Sequence, residues 1–128
     1  MINDPRHIAL NVLVAWEKAS FTLDKSLEAF SDEITLLSKK DKGLCNTIIF
    51  GTLRHREFID WKILAFSNIP LKKLNIKALY LLRIALFQII YLDRIPVFAA
   101  LNTTVNVAKK LLGKKTAGFI NAVLRNAC

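Results

Sequence analysis

Four residues near the end of the chain have types and spacing that could do chemistry. Lys114, Gly118, Asn121 and Arg125 recur at i, i+4, i+7 and i+11, which places them on one face of a helix. The cations can meet phosphates, and the carboxamide can read a base edge or a 2′-hydroxyl. Glycine lets another backbone come close. The set suits an RNA ligand. The competing reading is a solvated polar face, with Asn121 hydrogen-bonded to a neighbouring helix. For Arg125, ligand contact is the better account.

Further candidates are also basic. Arg6 and His7 follow Asp4 and Pro5 at a helix start, where free N–H groups already favour an anion. A simple surface pair is the alternative. Arg54 and Arg56 flank His55; its ring could stack on a base, contact phosphate or stay idle at the surface. Lys72, Lys73 and Lys77, then Lys109, Lys110, Lys114 and Lys115, form clusters that suit phosphate neutralisation rather than sequence readout. Arg83 is the one charge in a long apolar stretch. Burying it alone would be very costly. It must reach a carboxylate, helix-end carbonyls, solvent or a ligand, and a structural role fits best.

No residue set points to catalysis or to a metal. There is no second His at ligand spacing and no carboxylate pair suited to acid–base work. No Gly-rich loop follows a strand pattern. Cys45 and Cys128 have neither an activating context nor disulfide or metal spacing. The expectation is a segment that is not an enzyme, with no catalytic residue, no metal and no cofactor of its own.

Charge is distributed unevenly. The 128 residues carry a formal net charge of +9. Residues 1–60 hold 8 Lys/Arg against 9 Asp/Glu, whereas residues 61–128 hold 11 Lys/Arg against Asp93 alone. The second half is therefore expected to present a cationic face that attracts polyanions. Asn3, Asp4 and Pro5 stand where a signal peptide would carry basic and then apolar residues. No apolar run approaches the roughly 18 residues of a bilayer span. A cytoplasmic protein with no membrane partner is expected.

The positioning elements read as helices. Hydrophobic residues are 53% of the chain, with only 4 Gly and 3 Pro; that composition suits one domain over 1–128, built from a few long helices. Asp4 and Pro5 open the first, with Ile8, Val12, Ala15, Trp16 and Ala19 at helical spacing. Thr22 caps a short second helix carrying Leu23, Leu27 and Phe30. Ser31–Leu37 reads as a connection. Ser38 and Asp41 resemble a capping box before a helix from about Lys39 to His55, with Leu44, Cys45, Ile48, Ile49 and Leu53 as core candidates. Gly51 there would permit close approach of another helix. Phe58, Ile59, Trp61, Ile63 and Leu64 continue the pattern after a kink near Arg54–Glu57. Ile76–Tyr91 is apolar almost all round, as a central buried helix should be. Pro96 starts the next, whose inner stripe is Val97, Ala100, Leu101, Val105, Ala108 and Leu112. Gly113 caps it, and Lys114–Thr116 leads into a last helix through Arg125. This makes about seven helices in an all-α bundle.

Two stretches carry a resemblance. LRIALFQIIYLDRIPVFAALNTTVNVAKK (Leu82–Lys110) with FINAVLR (Phe119–Arg125) resembles the NusB-type domain. LCNTIIFGTLRHREFIDW (Leu44–Trp61) resembles the version that precedes the catalytic domain of 16S rRNA cytosine-C5 methyltransferases of the Sun/Fmu/RsmB type. The resemblance implies an all-α fold of about seven helices and an RNA-binding role. It also implies RNA contact at Arg6, with His7 beside it, and at Phe119–Leu124 including Asn121. In such methyltransferases a fused C-terminal domain binds S-adenosylmethionine and supplies a cysteine nucleophile; neither lies in these residues. One departure is that NusB factors often have an Arg-rich first turn, where this chain has only Arg6 and His7.

The leading expectation is an accessory RNA-binding domain that helps a methyltransferase engage 16S rRNA. The second is a free-standing NusB-like antitermination factor that binds RNA with ribosomal protein S10. The third is a protein–protein interaction or dimerisation module. Continuation of the coding frame past Cys128 separates the first two. The RNA site, the oligomeric state and the cations that touch phosphate do not follow from the sequence.

Overall fold

A computed structural model of the chain describes residues 4–19 and 22–128. Among these residues there are eight α-helices and no strand. The helices are α1 (Pro5–Ala19), α2 (Leu23–Ala29), α3 (Ser31–Thr35), α4 (Lys39–Arg54), α5 (Arg56–Phe66), α6 (Ile76–Tyr91), α7 (Val97–Leu112) and α8 (Lys114–Ala127), with a single 3-10 turn at Leu71–Lys73. The chain divides into two compact units, Met1–Arg54 and His55–Cys128.

In the first unit α1 packs on α2, α3 and α4. Side-chain caps set the starts. Asp4 Oδ1 accepts from the Arg6 N–H at 2.9 Å, Thr22 Oγ1 from Lys25 N–H at 3.2 Å, and Ser38 Oγ from Asp41 N–H at 3.1 Å. Each satisfies an N–H that the helix leaves unpaired. Ile8, Ala9, Leu10, Val12, Leu13 and Val14 are buried on α1, as are Cys45, Ile48, Ile49 and Thr52 on α4. The α1 core is thus wider than a narrow stripe, while Ala19 is exposed and Ala15 and Trp16 are half-buried.

One connection is a helix. Ser31–Leu37 contains α3, because Asp32 and Glu33 sit in its first turn and oppose the positive end of the helix. Leu37, only 5% exposed, then anchors the segment in the core. This extra element raises the count above the expected seven. The break after α4 falls where a kink was expected: Arg54 closes α4, and His55 leads into α5.

In the second unit α5, α7 and α8 all pack on α6. Asn75 caps α6, its Oδ1 accepting from Lys77 N–H at 2.9 Å. Every residue from Ala78 to Gln88 is buried, which confirms Ile76–Tyr91 as the central helix. Two buried polar side chains on these helices find backbone partners. Gln88 Nε2 donates to the Ile84 carbonyl, and Thr104 Oγ1 donates to that of Ala100. Only Ile59 and Ile63 of α5 are buried; Phe58, Trp61 and Leu64 face outward. No helix of the described residues is long and apolar enough to cross a membrane.

Candidate nucleic-acid interface

A single residue joins α7 to α8. Gly113 has φ 90° and ψ 172°, a backbone conformation that a side chain would strain. Its N–H donates to the Lys109 carbonyl at 3.2 Å and its carbonyl accepts from Ala117 N–H at 3.1 Å. The tight connection makes a helical hairpin and brings two polar faces together. The last helix therefore starts at Lys114 itself, rather than after a Lys114–Thr116 lead-in.

Between the two helices lies an open groove of about 390 Å³. From α8 it is lined by Lys114, Ala117, Gly118, Asn121 and Arg125, and from α7 by Asn102, Val105, Asn106 and Lys109. The four residues singled out on α8 by their spacing are thus brought together, and Lys109 joins them across the hairpin. Asn102 and Asn106 were not singled out. Their spacing with Lys109, at i, i+4 and i+7, was a readable signal.

The groove's electrostatics are one-sided: three cations and three carboxamides line it, with no carboxylate among them. Lys114 and Lys115 occupy the first turn of α8, which has no acidic residue. Cations there oppose the helix dipole, while an anion in the same place would be stabilised. Arg125 Nε donates to Asn121 Oδ1 at 3.1 Å. This bond engages the carboxamide oxygen and leaves the two N–H donors of the same group for another acceptor. Gly118 is exposed, and a Cβ placed on it would meet nothing within 4 Å. Packing within the chain therefore gives no reason for glycine here.

The other expected residues are placed as follows. Lys110 and Lys115 are exposed at the end of α7 and the start of α8 but do not line the groove. Arg6 and His7, both half-buried in the first turn of α1, and the exposed Arg54 at the end of α4 belong to the first unit. Arg6, His7 and Arg56 each have an interaction partner within the chain. His55 is half-buried, with ring partners within its own unit. Its ring lies on Tyr91, with centroids 3.9 Å apart and an angle of 17°, and beyond it Phe87 at 6.2 Å.

Arg83 has a structural partner. Its Nε and Nη2 donate to Asp60 Oδ1 and Oδ2, both at 2.8 Å, in the two-pronged geometry that makes such pairs strong. The guanidinium also lies over the Tyr80 ring, 4.8 Å from its centroid. Burial pushes the Cys45 thiol up to about 11, which keeps it protonated and unreactive near neutrality. Among the described residues, no group of three His, Cys, Asp or Glu could hold a metal ion.

An all-helical body with a cationic, carboxamide-lined hairpin groove is one whose fold and surface can be compared directly with known proteins. The chain belongs to the NusB family, whose model matches residues 3–128. It is 34% identical over 123 residues to the probable ribosomal RNA small subunit methyltransferase B of Bacillus subtilis, covering 94% of this chain but 27% of that protein. It is 31% identical over 121 residues to the transcription antitermination protein NusB of Shouchella clausii, covering 93% of this chain and 87% of that protein. The chain thus spans about a quarter of the methyltransferases it matches and most of the antitermination proteins. Its fold superposes on a chain of the crystal structure of antitermination factors NusB and NusE in complex with double-stranded RNA. The TM-score is 0.87 at 21% identity, covering 98% of this chain and 93% of that one. T. maritima NusB gives a TM-score of 0.86 at 22% identity, covering 99% of this chain and 89% of that one.

Proposed function

We propose that this chain is an RNA-binding accessory domain of a 16S rRNA cytosine-C5 methyltransferase, and that it holds the rRNA substrate for a catalytic domain elsewhere in the parent protein. The observation that carries the reading is the α7–α8 groove, where cations and carboxamides meet without a carboxylate. Lysines and arginine neutralise phosphates, and Asn121 and its neighbours offer the amide groups that read base edges or 2′-hydroxyls. The 34% identity to ribosomal RNA methyltransferases supports the choice of parent. Fusion would hold bound RNA at high local concentration beside the catalytic domain. Such a protein works in the cytoplasm.

The groove lining does not suit S-adenosylmethionine. Its sulfonium cation would be repelled by Lys109, Lys114 and Arg125 in the groove. The cofactor and the cysteine nucleophile belong to the catalytic domain of the parent.

Salt-titrated binding to a 16S rRNA fragment tests the reading. Each phosphate neutralised on single-stranded RNA contributes about 0.7 to the slope of log affinity against log salt. Three groove cations predict a slope of about −2, reduced by about 0.7 in Lys114→Ala. Absent affinity, or affinity flat with salt, sinks the proposal.

A second reading has an observation of its own. The chain covers 85% of the antitermination protein NusB of Trichlorobacter lovleyi, at 26% identity. A free-standing antitermination factor that binds RNA together with ribosomal protein S10 would account for that span. Retention of this chain on immobilised S10 with RNA present, and no contribution to rRNA methylation, would favour it.

A further inference from the structure

The polar track on α7 continues beyond the groove. Phe98, Asn102, Val105 and Lys109 recur at i, i+4, i+7 and i+11 along that helix, so Phe98 shares the stripe that faces the groove. It lies one turn, about 6 Å, before Asn102 along the axis. The hairpin runs Lys109 and Lys114 to the end near Gly113, and Asn102 and Arg125 to the opposite, open end. Phe98 stands at that open end. It is 70% exposed, and no ring of a described residue stacks on it.

Lone exposed apolar residues are common and need no explanation. The register of Phe98 is what distinguishes it. Cations at both ends of a carboxamide-lined groove, with one bare phenyl ring beyond the open end, make an arrangement by which proteins hold unpaired nucleic acid, with phosphates on the charges and a base flat on the ring. We propose that the groove takes a single-stranded stretch of RNA and that Phe98 is its base-stacking platform, which sets a preference for unpaired over duplex RNA. A base within a duplex already has both faces covered by its neighbours, so it cannot lie on Phe98 without leaving the stack. The inference rests on the RNA-binding reading and adds to it one specific contact, the side chain on which an unpaired base lies.

The test uses a short oligoribonucleotide carrying one fluorescent adenine analogue, alone and annealed to its complement. Phe98→Ala should weaken binding of the single strand by roughly 5- to 100-fold and change duplex binding by less than about twofold. Phe98→Trp should retain or strengthen single-strand binding, since a larger ring stacks as well or better. Binding to the unaltered protein should quench the analogue, and binding to Phe98→Ala should not. Circular dichroism of each variant should match the parent, because so exposed a side chain supports no core. Equal losses on both RNA forms, or unchanged single-strand affinity, overturn the platform while leaving groove binding intact. If the unaltered protein binds neither form, the platform and the RNA-binding reading fall together. If Phe98→Ala spares RNA and instead abolishes self-association in light scattering, Phe98 is a protein contact and the proposal is overturned.

Discussion

Arg83 and Gly118 show what single residues decide in this molecule. The one cation within the buried stretch of α6 had to find a partner, and that need was plain from the sequence. Which partner was not, because Asp60 lies 23 residues away and meets Arg83 only once α5 packs on α6. Removing the carboxylate strands a buried charge. Asp60→Ala should cost about 3–5 kcal/mol, read as a lower urea midpoint with an unchanged slope. Gly118 lies within α8 with room for a methyl group. Gly118→Ala should therefore stabilise the fold by up to about 1 kcal/mol, visible as a raised melting temperature, while RNA affinity falls as the added methyl narrows the groove. Cys45 makes a pH prediction. The unfolded thiol ionises near 9.0, whereas the buried one holds its proton to about 11. Its contribution to stability is full below the lower value and is lost as pH rises through the upper one. Thiol titration of the folded protein at pH 8 should accordingly modify Cys128 and spare Cys45 until denaturant is added.

At the scale of elements, starts and stops were the legible part. Asp4, Thr22 and Ser38 all cap as their types suggest, and Gly113 ends α7. The segment Ser31–Leu37 misled, since a run of Ser, Asp, Glu and Thr reads as a loop while tertiary anchoring by Leu37 makes it α3. The faces of α5 were equally hidden. Its apolar residues recur almost all round, so spacing could not tell buried Ile59 and Ile63 from exposed Phe58, Trp61 and Leu64. The α7 half of the groove escaped for a related reason. Asn102 and Asn106 become lining only when the turn at Gly113 folds α8 back beside them. That turn has its own prediction. Gly113→Ala places a side chain at φ 90° and should destabilise by about 1–3 kcal/mol, detected as a lower melting temperature. RNA affinity measured well below that temperature should also fall, as the two rows of groove residues lose their register.

For the whole molecule, the all-α class and the central helix followed from the pattern of apolar residues alone, and the family resemblance agrees with the match over residues 3–128. The distribution of charge was legible as a contrast between halves; the structure sharpens it. The division after Arg54 leaves the first unit with seven Lys/Arg and seven Asp/Glu, and the second with twelve against three. All of the net +9 therefore resides in His55–Cys128. Which cations would touch phosphate lay beyond the sequence, because that depends on which helices are neighbours.

So lopsided a distribution has a mechanical consequence. Like charges crowded onto four helices push one another apart, and the fold of that half works against its own Coulombic pressure. Any multivalent anion that settles among them relieves the pressure, whatever its sequence. Heating the protein with and without inorganic polyphosphate should thus reveal a thermal upshift at low ionic strength that fades as sodium chloride is added.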